Sequence, residues 1–212
     1  RMSNEFLIFV LKNPLFEDEL DKATLYFEND SEFDVHKEIG KFYYKKKNWS
    51  LAIKNLEKVV HSDLETNLFL LVAYEETGNL ETLERKASEL VDTFPNQPEY
   101  YFFVGKAANL LKKYKKANDF LASGLDYIVD NINLEIDFLN QLAEATKGLG
   151  NTEKSNYYLT KANNLKAKQK YGKFLLPIFS KKYIPYIKKE VSHFGKPPFL
   201  YLCHTKKKQC EK

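Results

Sequence analysis

Few residues of this 212-residue sequence have the types and spacing that catalysis needs. Glu75 and Glu76 are adjacent carboxylates, but consecutive residues of a helix point about 100° apart, which favours a solvated or groove-lining acidic patch. His36 and His61 stand apart from any candidate nucleophile, so we interpret them as surface or groove-edge residues. The sequence contains no glycine-rich phosphate loop, nucleophile elbow or zinc-binding His-Glu helix motif. We therefore predict a protein that is not an enzyme and holds no metal or other cofactor.

Trp49 and two lysine clusters could contribute to binding instead. A tryptophan often anchors an interface, but the place of Trp49 in a repeating pattern favours packing between two helices. The lysines within residues 45–47 and 112–116 are assigned to helix ends, where lysine interacts favourably with the helix dipole. The first cluster could also present positive charge to an acidic ligand.

The chain ends in a basic, aromatic segment. The formal net charge is +4 at pH 7, but lysines are concentrated from residue 166 onward, where the only carboxylates are Glu190 and Glu211. Interleaved lysines and aromatic residues could bind nucleic acid through phosphate contacts and stacking, or lie on an anionic membrane. Cys203, His204 and Cys210 provide three zinc ligands where a structural site needs four, so no metal site is predicted. We favour an irregular or disordered tail over nucleic-acid or membrane binding.

The elements that must position the binding residues repeat along the chain. Small, aromatic and large apolar residues recur at intervals of roughly thirty to forty residues, a period typical of stacked helical solenoids. The two clearest copies are Gly40, Tyr43, Trp49, Ala52 and Leu56, and then Gly105, Ala108, Tyr114, Ala117 and Leu121. Within each copy apolar residues are three or four positions apart, as on one face of a helix. Each unit is therefore predicted to be a pair of helices.

Turn residues divide each predicted pair of helices. The dipeptides that precede the second helix are Lys47-Asn48, Gly78-Asn79, Lys112-Lys113 and Gly150-Asn151. We predict the left-handed backbone conformation for Gly78 and Gly150, because glycine has no side-chain penalty there. The small residues Ala52, Gly105 and Ala117 are predicted to lie where two helices approach closely. Residues 126–131 are predicted to add an extra turn to one helix.

This pattern resembles that of the tetratricopeptide repeat family. The motif residues are Gly40, Tyr43, Trp49 and Ala52 in unit 33–63, Tyr74, Gly78 and Pro95 in unit 64–97, Gly105, Tyr114 and Ala117 in unit 98–135, and Gly150 in unit 136–168. The resemblance implies an all-α fold, a right-handed solenoid of antiparallel helix pairs over residues 1–168. A degenerate unit is expected at residues 1–32, and an irregular or disordered basic tail at residues 169–212.

The ends and the overall composition suggest a particular kind of repeat protein. The chain is rich in Lys, Asn and Glu, which is similar to repeat proteins of AT-rich, flavobacteria-like bacteria. It begins Arg1-Met2, and Phe6, Phe9 and Val10 would form an apolar face in the first unit. We therefore expect a fragment of a longer multi-repeat protein, with further repeats before residue 1.

In this family the first helix of each pair lines a concave groove, and the resemblance implies the same here. By position in the repeat, the groove residues are Asp34, Lys37, Lys41, Tyr44 and Lys45, then Glu65, Leu68, Val72, Glu75 and Glu76, then Glu99, Phe102, Lys106, Asn109 and Leu110, and finally Asp137, Asn140, Glu144 and Lys147. Some family members hold a terminal carboxylate with lysines and asparagines of the groove. Val72 and Lys106 stand where asparagine would be needed, so this clamp is not predicted.

The resemblance predicts a non-catalytic scaffold that binds a partner protein or an extended peptide in the groove. Two alternatives stay open: binding of nucleic acid or an anionic membrane through the tail, and a docking domain of a larger enzyme. No run of 18 apolar residues occurs, so no membrane span is expected. Cys203 and Cys210 are the only cysteines, and they leave the compartment undecided. The expectation is a soluble protein, of either the cytoplasm or the periplasm. The oligomeric state stays open.

Overall fold

The computed structural model describes residues 34–169, together with Lys22 and Leu25. The predicted first unit, residues 1–32, and the predicted tail, residues 169–212, lie outside the described residues apart from Lys22, Leu25 and Gln169. The chain divides into two compact units, Arg1–Ala162 and Asn163–Lys212. The repeat-bearing helices belong to the first unit, and the described residues of the second, 163–169, are helical.

The described part of the chain is helical, with short turns between its helices. The helices are α1 (Val35–Lys45), α2 (Trp49–Leu56), α3 (Leu64–Glu76), α4 (Leu80–Thr93), α5 (Pro98–Leu110), α6 (Tyr114–Leu125) and α7 (Ile132–Gly148), followed by α8, which is described over residues 152–169. From α1 to α7 each helix packs on the next, and α1, α3, α5 and α7 also pack on one another in turn. Contacts limited to neighbours along the chain are those of a solenoid. The predicted all-α solenoid of antiparallel helix pairs is confirmed.

Short polar side chains cap the start of five of the described helices. Asp34, Asn48, Asp63, Asn131 and Asn151 each accept a hydrogen bond from the backbone N–H three residues later, at 2.9–3.3 Å. The first turn of a helix leaves backbone N–H groups without partners inside the helix, and such caps satisfy one of them. In these five helices the capping residue therefore marks where the helix starts.

Small residues bring the two helices of a pair together. A Cβ atom on Gly40 would lie 2.5 Å from Leu56 Cδ2, and one on Gly105 would lie 2.6 Å from Leu121 Cδ2. Ala52 and Ala117, the small residues of the facing helices, are completely buried. The predicted close approach is therefore confirmed, and it places each first helix at a set distance from its partner helix.

All four described turns within pairs use a left-handed residue. Gly78 (φ 69°) and Gly150 (φ 79°) have the predicted conformation. Lys47 (φ 57°) and Lys112 (φ 59°) hold the equivalent positions of the other two turns. A residue with a Cβ atom is disfavoured in this conformation by roughly 1–2 kcal/mol, so these two turns carry strain that the glycine turns avoid.

We expect Lys112→Gly to stabilise the protein by about 0.5–1 kcal/mol, because glycine relieves the left-handed strain at a helix end. Gly78→Ala should do the opposite, with a loss of about 1 kcal/mol, although a Cβ at that position meets no atom within 4 Å. Urea unfolding followed by circular dichroism measures both. Equal and negligible effects of the two substitutions would contradict the assignment of strain to these turns.

The predicted extra helical turn at residues 126–131 is wrong. Helix α6 ends at Leu125, and these residues form an irregular connection in which Asp130 has a φ of 52°. Gly124 weakens the end of α6 because glycine is a poor helix former, and the side chain of Asn131 caps α7 instead of continuing α6. Tyr127 folds back onto Tyr101, with ring centroids 5.5 Å apart.

Candidate protein-binding groove

Apart from Asp34, which caps α1, the predicted groove residues lie on the four first helices, α1, α3, α5 and α7, which pack side by side. On α5, for example, Glu99, Phe102, Lys106 and Asn109 are three or four positions apart and therefore share one face of the helix. We refer to the face formed by the predicted groove residues as the first-helix face. Its side chains make specific contacts from each first helix to the next.

Two ion pairs join α1 to α3. Lys37 Nζ donates to Asp63 Oδ2 at 2.7 Å, and Lys41 Nζ donates to Glu65 Oε2 at 2.8 Å. The hydrogen bond from Lys37, helped by Thr66, holds the pKa of Asp63 well below its usual range. The hydrogen bond to Glu65 raises the pKa of Lys41. Lys37 and Lys41 are thus already bound to carboxylates of the next first helix and its cap.

Helices α3 and α5 are joined in the same way. Lys106 forms an ion pair with Glu75 and also lies over the ring of Phe102, 5.7 Å from its centroid. Deeper between these helices, Asn67 Nδ2 donates to the hydroxyl of Tyr100 at 3.1 Å, and both residues are buried. Burial raises the pKa of Tyr100. Glu75 is therefore a structural partner and not half of a carboxylate pair with Glu76.

The contact between α5 and α7 is made by an amide pair and two rings. Asn109 Nδ2 donates to both the backbone oxygen and the Oε1 of Gln141, each at 2.9 Å. Phe102 packs on Phe138 with ring centroids 5.6 Å apart. Asn109 is only 7% exposed, so this predicted groove residue mainly holds two first helices in register.

Aromatic rings cover the end of the face near the first turn. Tyr44 stacks on Phe69 of α3 with centroids 4.2 Å apart and meets Trp49 edge-on at 5.5 Å. Burial, with a smaller contribution from Glu76, raises the pKa of Tyr44. Trp49 is half-buried against the core of α1 and α2, which agrees with the predicted packing between two helices.

A subset of the predicted residues stays open to solvent. Lys45, Glu76 and Glu144 are exposed, and Leu68, Val72 and Asn140 are half-buried. Leu68 and Val72 also pack on the edge of the main core. A ligand can contact these side chains of the first-helix face without breaking a bond between helices.

Sequence reasoning missed a buried carboxylate, Glu84 of α4, which is 5% exposed. Its two oxygens accept from Lys113 Nζ at 2.5 Å and Lys116 Nζ at 2.7 Å. The assignment of these lysines to a helix end that favours lysine is wrong, because Lys113 directly precedes α6 and Lys116 lies in its first turn. Burial raises the pKa of Glu84, but the bonds and charges of both lysines outweigh it and leave the pKa lowered. A signal existed, since Glu84 adjoins the apolar stripe of Leu83 and Ala87.

We expect Lys41→Glu to destabilise the protein by about 1 kcal/mol, since it replaces a pair between helices with two facing carboxylates. The double variant with Glu65→Lys restores an ion pair of reversed polarity and should recover most of that loss. Thermal unfolding of the two single variants and the double variant gives the coupling energy. Purely additive effects would show that the pair contributes nothing to stability.

Other kinds of site are not found in the described residues. Within them, no three His, Cys, Asp or Glu side chains group in a way that could hold a metal ion. None of the described helices is long and apolar enough to cross a bilayer. The nucleic-acid and membrane alternatives and the cluster of Cys203, His204 and Cys210 depend on residues outside the described part of the chain.

Comparison with known proteins identifies the fold. No protein-family model and no curated protein matches the chain. The crystal structure of MamA is similar over 72% of this chain and 87% of its own, with 17% identity and a TM-score of 0.60. A second structure, of MamA from AMB-1, is similar over 71% of this chain and 91% of its own, with 18% identity and a TM-score of 0.56. At this identity the likeness shows the fold alone, a TPR-like array of helical repeats.

Proposed function

We propose that the protein is a non-catalytic scaffold that binds a partner protein or an extended peptide on its first-helix face. The observation that supports this most directly is that the side chains of that face fall into two groups. One group, including Lys37, Lys41 and Lys106, ties the first helices together. A second group, including Glu76 and Glu144, is left exposed to solvent.

The ties between helices favour binding because they hold the face in one arrangement before a ligand arrives. Ordering side chains during association costs free energy, roughly 0.5–1.5 kcal/mol for each flexible side chain. On this face the half-buried Leu68, Val72 and Phe102 are held by the core beneath them. A ligand therefore meets apolar surface that is already ordered, with charged groups around it that set selectivity.

The repeat boundaries are part of the same proposal. We assign one pair of helices to each of the units 33–63, 64–97, 98–135 and 136–168, and each unit contributes its first helix to the face. The turns within pairs, with a left-handed residue at 47, 78, 112 and 150, support this division. The family assignment as a tetratricopeptide repeat protein is proposed on the same grounds.

The test compares two triple variants in capture experiments. Lys45→Glu/Glu76→Lys/Glu144→Lys reverses three exposed charges of the first-helix face. Lys54→Glu/Glu81→Lys/Glu153→Lys reverses three exposed charges on the second helices α2, α4 and α8. Both sets keep the same net charge change, and neither touches an ion pair between first helices.

We expect a partner captured by the unmodified chain, once purified and titrated, to bind the first triple variant at least tenfold more weakly. The second variant should bind it with unchanged affinity, and both variants should melt like the unmodified chain. A partner that is lost only from the second variant would place the binding surface on the second helices and refute the proposal.

A further inference from the structure

We infer that the partner presents a basic segment with apolar side chains to the first-helix face. This inference rests on the proposed function and adds the chemistry of the ligand. It follows from an account of which charges on the face are neutralised within the protein and which are left for a ligand.

The positive charge of the face is largely neutralised within the protein. Lys37, Lys41 and Lys106 are each bonded to a carboxylate of a neighbouring first helix or its cap. The side chains of these lysines are only 24%, 19% and 29% exposed. An acidic ligand would have to compete with fixed carboxylates for each of them, so these lysines attract such a ligand weakly.

The remaining lysines of the face lie at helix ends. Lys45 and Lys147 are in the last turns of α1 and α7. There the unpaired backbone carbonyls carry partial negative charge, which offsets part of the lysine charge. Both lysines belong to the outer first helices α1 and α7, whereas the apolar centre of the face, formed by Leu68, Val72 and Phe102, lies on α3 and α5.

Several carboxylates of the first-helix face, in contrast, have no ion-pair partner among the described residues. Glu76, Asp137 and Glu144 are exposed, and within residues 34–169 none of them is in an ion pair. Glu99, half-buried on α5, likewise has no lysine bonded to it among the described residues. These carboxylates lie on α3, α5 and α7, so three of the four first helices present a negative charge that no side chain of the described residues neutralises.

The test uses a matched pair of fluorescent synthetic peptides of about twelve residues, which span roughly 40 Å when extended. In one peptide lysine alternates with leucine, phenylalanine and serine; in its twin, glutamate replaces every lysine. Fluorescence anisotropy with the full chain measures both affinities at low and at high salt. We expect the basic peptide to bind at least tenfold more tightly, and its affinity to fall with salt.

Paired neutral substitutions locate the binding. Glu76→Gln/Glu144→Gln should weaken the basic peptide about tenfold, because it removes two open charges of the face. Glu81→Gln/Glu153→Gln removes two exposed charges from the second helices and should leave the affinity unchanged. Neither pair contains a residue of an ion pair between first helices, so the melting temperatures should not differ.

The inference is overturned if the acidic peptide binds as tightly as the basic one, or if the two neutral variants weaken the basic peptide equally. Failure of both peptides to bind also overturns it, because it predicts affinity from charge and apolar contact alone. In that last case the proposed function is still decided separately, by the effect of the charge-reversed triple variants on a captured partner.

Discussion

Gly105→Ala should destabilise the protein by about 2–3 kcal/mol, although alanine is the better helix former. Gly105 lies in the middle of α5, where helix propensity alone favours alanine by about 1 kcal/mol. The added Cβ, however, would lie 2.6 Å from Leu121 Cδ2 and 2.8 Å from its Cδ1, with Cγ closer still. Leu121 is completely buried, so it cannot move aside without disturbing the core. The steric effect therefore exceeds the propensity effect and determines the sign.

Urea unfolding of a double-mutant cycle tests this explanation. Leu121→Ala alone should cost about 2–5 kcal/mol, because it leaves a cavity. In the presence of Leu121→Ala, the substitution Gly105→Ala should become nearly neutral or stabilising, since the clash is gone and the propensity gain remains. If Gly105→Ala is equally destabilising in the unmodified background and in the Leu121→Ala background, the clash is not the cause.

The double substitution Lys113→Met/Lys116→Met should cost about 3 kcal/mol, because it leaves Glu84 buried without a positive partner. Methionine keeps the length and most of the apolar contact of each lysine, so the change is mainly one of charge. Both lysines are partly exposed, at 50% and 39% of their side chains. Water can therefore reach the site of Glu84, and for this reason the expected loss of stability is at the lower end of the range for a broken buried ion pair. Lys54→Met/Lys115→Met, at two exposed lysines, is the matched control.

The pH dependence of stability distinguishes this charge effect from general damage. In the folded protein the pKa of Glu84 is lowered from 4.5, so its contribution is fully present above the unfolded pKa and is lost as the pH falls through the folded one. Without the two lysines, burial alone acts and raises the pKa of Glu84. The double variant should then lose stability as the pH rises from the pKa of Glu84 in the unfolded chain to its raised pKa in the folded protein. The difference in stability between the double variant and the unmodified protein should therefore be smaller in acid.

Replacing Glu84 as well completes the test. Glu84→Leu/Lys113→Met/Lys116→Met exchanges the buried ion triad for apolar side chains, which is often neutral or stabilising. We expect this triple variant to recover most of the stability that the double variant loses, with a flatter pH profile. A triple variant that is no more stable than the double variant would show that packing, and not an unpaired carboxylate, accounts for the loss.

Local features of the fold were predictable because they depend on residues close together in sequence. The period of Ala52, Leu56 and their equivalents predicts amphipathic helices, and the left-handed conformation of Gly78 and Gly150 follows from the absence of a Cβ atom. The place of Gly105 in the repeat predicts a close approach of two helices, but only the structure shows that Leu121 is the side chain it meets. The connection at residues 126–131 was not predictable in this way. The local sequence is compatible with a longer α6 that includes Asn131, and equally with a separate helix that Asn131 caps.

The helix pairs, their turns and the small residues where helices meet could all be read from the amino-acid order, since each follows from backbone preference and from spacing within about one turn of helix. The amino-acid order does not show which charged side chains are open to a ligand, because that depends on contacts between residues far apart in the sequence. Lys41 meets Glu65 across 24 residues of chain, and Lys113 meets Glu84 across 29. Such pairings depend on how far one helix is rotated and shifted against the next, and that is set by packing of the whole array. For this reason only the structure shows that Lys37, Lys41 and Lys106 form ion pairs between neighbouring first helices.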